Sequence, residues 1–90
     1  MAVEPITGYI ISDHAATEMK RRDISAEIIA GVLKKPEQRL DIRSGRVVLQ
    51  SRIQEPGAEY LVRVFVDIDR NPAEVVTAYR TSKVLKYWRV

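Results

Sequence analysis

Cysteine is missing from these 90 residues, and histidine occurs once, at position 14. No disulfide framework can form, and a structural zinc site has no set of Cys and His ligands to draw on. Asp67 and Asp69 form a D-x-D pair leading into "RNP", which reads as a solvated turn rather than a cation site. Neither a metal nor a cofactor is therefore expected. No apolar run approaches the roughly 20 residues that cross a bilayer. The opening "MAVEPITGY" also lacks the basic and apolar regions of a secretory leader. A cytoplasmic protein with no membrane partner is expected. Aromatic residues are few, with one Phe, four Tyr and one Trp. They gather late in the chain, where Tyr79, Tyr87 and Trp88 stand among Arg80, Lys83 and Lys86.

What is present suits one globular domain. Hydrophobic residues make up 46% and charged residues 30% of the chain, a balance that argues against disorder. The net charge of +3 favours an anionic partner, either RNA or an acidic protein.

Residues 1–8 contain Pro5 and Gly8 and read as an N-terminal arm, leaving a single domain over 9–90. "YIISDHAATEMKRRDIS" reads as a first helix, with Ser12 or Asp13 as cap and Ile11, Ala15 and Met19 at helical spacing. Ser25 caps a second helix whose buried stripe is Ile28, Ile29, Val32 and Leu33. Ile24 packs on Ile29 across its start, and Pro36 stops it. The period then changes to two. "QRLDI" and "RVVLQSRI" flank a turn at Arg43-Ser44-Gly45, and "EPGAE" makes a second turn. "YLVRVFVDI" and "EVVTAYRT" give two further strands, and "SKVLKYW" a short closing helix capped by Thr81 or Ser82. The expectation is an α+β fold: two N-terminal helices packed on one face of a four-stranded antiparallel sheet, with a short C-terminal helix. If Val62, Val64 and Val66 point to the helices, Arg63 and Phe65 point to the other face, left open for binding. Val84, Leu85 and Trp88 are expected to close the core.

His14 is the side chain whose ordinary pKa lies near neutrality, and it sits where a helix start favours an anion. Its plainer account is a surface or half-buried helix residue paired with Glu18 one turn on. Arg80 alternates with Tyr79 and Thr81, so it points to the opposite face from both. Standing just before a helix, it is placed to clamp an anion. Arg46, Arg52 and Arg63 lie on adjacent strands, interleaved with Phe65 and a tyrosine. That is the composition of a surface on which cations track a phosphate backbone and aromatics stack on bases. Lys83, Lys86, Tyr87 and Thr81 extend the same wall.

"HAATEMKRRDIS", a second helix ending in "KKPE", then "GRVVLQSRI", "YLVRVFVDID" and "VVTAYRTSKVLKYW" together resemble a family of small bacterial domains of unknown function. The resemblance covers about residues 9 to 88. That family looks like a member of the RelE/ParE-type toxin superfamily of compact α+β ribonucleases. The resemblance implies metal-independent endoribonuclease action, in which the ribose 2′-OH attacks the adjacent phosphorus and leaves a cyclic phosphate. It makes His14 the acid or base, Arg80 the phosphate clamp, and Tyr79 a second acid–base group or stacking platform. Thr81 would hydrogen-bond the phosphate, and Lys86 and Tyr87 would line the site. The implied partners are RNA, with the ribosome as one setting, and an acidic antitoxin protein; no DNA is expected. Two other readings stand beside it. One is a non-catalytic module of the same fold that binds RNA or protein. The other is an enzyme using His14 on a small anionic substrate.

Overall fold

The computed structural model describes residues 3–89, so the outer ends of the arm and of the domain fall outside the described residues. In chain order the elements are β1 (Tyr9–Ile11), α1 (Asp13–Arg21), α2 (Ala26–Lys34), β2 (Gln38–Arg43), β3 (Arg46–Glu55), β4 (Ala58–Asp67), β5 (Ala73–Thr81) and α3 (Val84–Tyr87).

Both long helices start on a serine. The Ser12 hydroxyl accepts from the Ala15 backbone N–H, and the Ser25 hydroxyl from that of Ile28. Caps of this kind are worth about 1 kcal/mol each. After α1 the chain reverses through Asp23 at φ 57°, a left-handed conformation that Asp tolerates better than most residues. Pro36 cannot continue α2 and turns the chain into the sheet.

Strands β2 to β5 form an antiparallel meander. The turn between β3 and β4 holds Pro56, with its fixed φ, and Gly57 at φ 81°. The sheet has five strands in the order β1-β5-β4-β3-β2, and β1 runs parallel to β5. The expected fold, two helices on a four-stranded antiparallel sheet in the RelE/ParE manner, is therefore wrong: the sheet is five-stranded and mixed. The sequence pattern puts Tyr9–Ile11 at the start of the first helix. Instead the free edge of β5 offers these three residues a hydrogen-bonded ladder, with Tyr9 opposite Ala73 and Ile11 opposite Val75. Ser12 N–H still bonds Val75 C=O at 3.0 Å, and the helix starts only after that.

One sheet face carries the core. Val47, Leu49, Val62, Val64, Val66, Val75 and Ala78 pack there with Ala15 and Met19 of α1 and with Ile29, Val32 and Leu33 of α2. Val75 and Ala78 share this face because β5 holds one extra residue, Val76, where its register with β4 shifts. Val3 and Ile6 of the arm also lie against the core, and Ile6 N–H donates to Leu33 C=O.

The closing helix departs from expectation too. Leu85 is 88% exposed, and Val84 and Trp88 are only half-buried and lie outside the core cluster. Residues 83–89 instead lie across the opposite face of the sheet, where Tyr87 and Arg89 meet Gln50 and Gln38.

Candidate anion-binding face

On the face away from α1 and α2, one row of side chains crosses four strands. The register sets Gln38 opposite Gln50, Gln50 opposite Arg63, and Arg63 opposite Tyr79. Strand alternation sends all four to the same side, away from Val62 and Val64. Hydrogen bonds link them in sequence. Arg63 Nη1 donates to the Tyr79 hydroxyl, and Arg63 Nε donates to Gln50 Oε1 at 2.9 Å. Gln50 Nε2 donates to Gln38 Oε1 at 2.8 Å and to the Tyr87 carbonyl at 3.1 Å. Gln38 in turn holds the Arg89 backbone, accepting from its N–H and donating to its carbonyl. The row thus pins the C-terminal segment to the sheet.

Arg63 is the unusual member. It is only 8% exposed, yet no carboxylate among the described residues forms an ion pair with it. Three rings surround its guanidinium carbon: Tyr87 at 4.5 Å from the ring centre, Phe65 at 5.6 Å and Tyr79 at 5.6 Å. The rings also touch one another, with centroids 5.9 Å apart for Phe65–Tyr79 and 6.0 Å for Tyr79–Tyr87. Lys86 adds a second cation, its Nζ 5.4 Å from the centre of Tyr87. A guanidinium taken out of water without a counter-ion carries a desolvation cost that ring faces offset only in part. An anion placed against it would remove that cost.

The two arginines of β3 are already neutralised. Arg46 holds Asp67 through two bonds of 2.6 and 3.1 Å, and Arg52 holds Glu37 through bonds of 3.1 and 3.0 Å. These forks keep both carboxyls below their usual pKa range, chiefly by direct hydrogen bonding, and raise the two guanidinium pKa values for the same reason. Arg52 also stacks on Trp88 at 4.0 Å, a second tie between the sheet and the C-terminal segment.

The remaining candidates from the sequence are scattered. His14 is the second residue of α1, its side chain 70% exposed and Nε2 3.8 Å from Glu18 Oε1. Arg80 lies opposite Val62, so it points to the helix side of the sheet, where it stacks on Tyr60 at 5.0 Å. Beside it is an open cleft of about 310 Å³ that also contains Glu55 and Glu59. The start of α1 is tied to Val75 by Ser12, and its end to Ala78 by the Arg22 guanidinium. His14 and Arg80 therefore sit toward opposite ends of a helix stretch of roughly 12 Å. Tyr79 is on the other side of the sheet from both. His14, Arg80 and Lys86 do not line one cleft. Thr81 shares the face of Tyr79 but spends its hydroxyl on the Lys83 N–H at 3.1 Å, and Lys83 itself is exposed.

The structure brings together Arg63, Phe65, Tyr79, Lys86 and Tyr87. Gln50 and Gln38, which orient Arg63 and the segment above it, were not singled out from the sequence. The signal was there: Glu55 and Ala58 close the β3–β4 hairpin, and counting back five residues from Glu55 and forward five from Ala58 pairs Gln50 with Arg63.

The arrangement defines a small α+β domain with a mixed sheet and a cationic, aromatic-lined second face. The chain belongs to a family described as a domain of unknown function, DUF4258, whose model matches residues 11–85. Comparison with curated proteins and with solved structures finds no match.

Proposed function

We propose that this protein binds RNA through the second face of its sheet. One backbone phosphate would lie against Arg63, with Lys86 and the Tyr79 hydroxyl beside it, and a base would stack on the Tyr79–Tyr87–Phe65 group. The observation that carries this reading is Arg63: a buried cation, ringed by aromatics, with no carboxylate among the described residues to neutralise it. Phosphate contacts give affinity that falls with salt, and aromatic faces accept any base.

Metal-independent cleavage is the second reading, and with it the toxin role and acidic antitoxin that the RelE/ParE resemblance implies. Tyr79 favours it. Its oxygen accepts from Arg63, so its own proton is free to go to the leaving 5′-oxygen as the 2′-oxygen closes on phosphorus, while the 2′-hydroxyl proton goes to water. On this reading the acid is Tyr79 rather than His14.

The test is a labelled single-stranded RNA incubated with the purified protein in EDTA and followed by fluorescence anisotropy and gel. Binding that weakens with salt and with Lys86→Glu is expected. Intact RNA assigns a binder. Cleavage lost in Tyr79→Phe but kept in His14→Ala assigns a ribonuclease. No binding at low salt overturns both readings.

A further inference from the structure

β3 is longer than the strand that covers it. β2 begins at Gln38, opposite Gln50, because Pro36 and the end of α2 divert the chain before that point. Ser51–Glu55 therefore pairs with β4 on one side and with no strand on the other among the described residues. Glu37 fills part of the gap with a side chain, its Oε1 accepting from the Arg52 backbone N–H at 2.8 Å. A neighbouring strand would supply a carbonyl in that place. The opening is roughly 17 Å long, enough for a strand of about five residues.

A cleft borders this edge on each side of the sheet. On the helix side it is about 450 Å³, with Ile28, Gly31, Val32 and Ile53 as its apolar wall. A Cβ added at Gly31 would meet nothing within 4 Å, so α2 leaves its wall bare there. On the other side is a cleft of about 430 Å³ lined by Glu37, Arg52, Gln54 and Glu59. Glu37 and Arg52 neutralise each other, whereas Glu59 receives, among the described residues, only the Gln54 amide at 3.1 Å. The net charge of that cleft is one negative.

An added strand sends successive side chains to alternate faces. We propose that the edge Ser51–Glu55 is a strand-addition site for an extended segment of another protein in which an apolar residue alternates with a basic one. The apolar side chain enters the cleft under Gly31, the basic one meets Glu59, and main-chain bonds go to the open edge around Arg52 and Gln54. This site lies apart from Arg63 and does not depend on the RNA reading.

The probe is a fluorescein-labelled octapeptide of alternating Val and Lys, compared with Val/Glu and Ser/Lys peptides of equal length. The Val/Lys peptide is expected to bind best and to slow hydrogen exchange across residues 51–55. Gly31→Trp, which fills the apolar cleft from an open helix position, should weaken it by at least roughly tenfold. RNA binding by that variant stays unchanged. The proposal is overturned by equal binding of the Ser/Lys or Val/Glu peptide, or by no binding at all. Full affinity in Gly31→Trp, or slowed exchange along Gln38–Arg43 instead, would also overturn it. So would a free protein that is already dimeric with residues 51–55 protected.

Discussion

Replacing Arg63 by Met keeps the length of the side chain and removes its charge and its donors. Gln50, fully buried, then loses the donor to its Oε1. An unsatisfied buried acceptor costs about 1–3 kcal/mol. The three rings lose their cation–π contacts, about 0.5–1 kcal/mol each. Against these losses stands relief from desolvating an unneutralised guanidinium, which is worth several kcal/mol. The two sides nearly cancel, so the expected net loss is within about 2 kcal/mol, or at most about 8–16 °C in Tm. Gln50→Leu leaves the cation buried without its acceptor and also removes the donor to Gln38 and to the Tyr87 carbonyl; summed over these three hydrogen bonds it costs more, about 3–5 kcal/mol. The double variant removes charge and acceptor together and should be more stable than Gln50→Leu alone. Urea unfolding followed by circular dichroism measures all three variants. A short RNA at ten times its Kd should stabilise the wild type by about 1.4 kcal/mol and leave Arg63→Met unmoved. Coupling between positions 50 and 63 below about 0.5 kcal/mol would refute the linked-row argument. An equal RNA-induced shift in both proteins would refute the anion site.

Two glycine substitutions should move stability in opposite directions. Gly31→Ala, in an open helix position, should stabilise by about 0.5–1 kcal/mol. Gly45→Ala should destabilise by about 1–2 kcal/mol or more, because φ is 83° and the new Cβ would lie 2.5 Å from Asp69 Oδ2; thermal melts that rank the two the other way would contradict this. Acid should also weaken the fold through Asp67 and Glu37, whose folded pKa values are depressed by Arg46 and Arg52. Their stabilisation is present above the usual carboxylate range and is lost as pH falls below roughly 4. Asp67→Asn should flatten that limb of the urea midpoint against pH, and an unchanged slope would count against the Arg46–Asp67 fork.

The second helix was legible because its signals are local: a Ser25 cap, an apolar stripe and a stopping proline. β3 and β4 were legible from alternation alone, which also assigned Arg63 and Phe65 correctly to the face away from the helices. β1 was not legible. Three apolar residues before a capping serine carry the same local pattern whether they open a helix or pair with a strand. Only the distant partner Ala73–Val75 decides between the two. Burial of Arg63 was hidden for a related reason. α3 is one turn long, and its docking depends on Gln50, Gln38 and Arg52 reaching its backbone and Trp88, contacts made 36 to 51 positions away. Alternation placed Arg80 opposite Tyr79 correctly, and that same alternation divides the "YRT" triplet between two faces. A joint site with His14 needed proximity that periodicity cannot supply.

The parallel pairing of β1 with β5 bears on how the chain folds as it is made. Tyr9 and Ala73 are 64 positions apart, the difference of their residue numbers. α1 likewise packs mainly on β5. The β2–β4 hairpins can close as they emerge, since their partners are neighbours in sequence. β1 and α1 meet their main partner only once β5, the last strand, has been synthesised. Closing so long a loop is slow relative to hairpin formation. β1 and α1, made before the hairpins, are thus among the last elements to become structured.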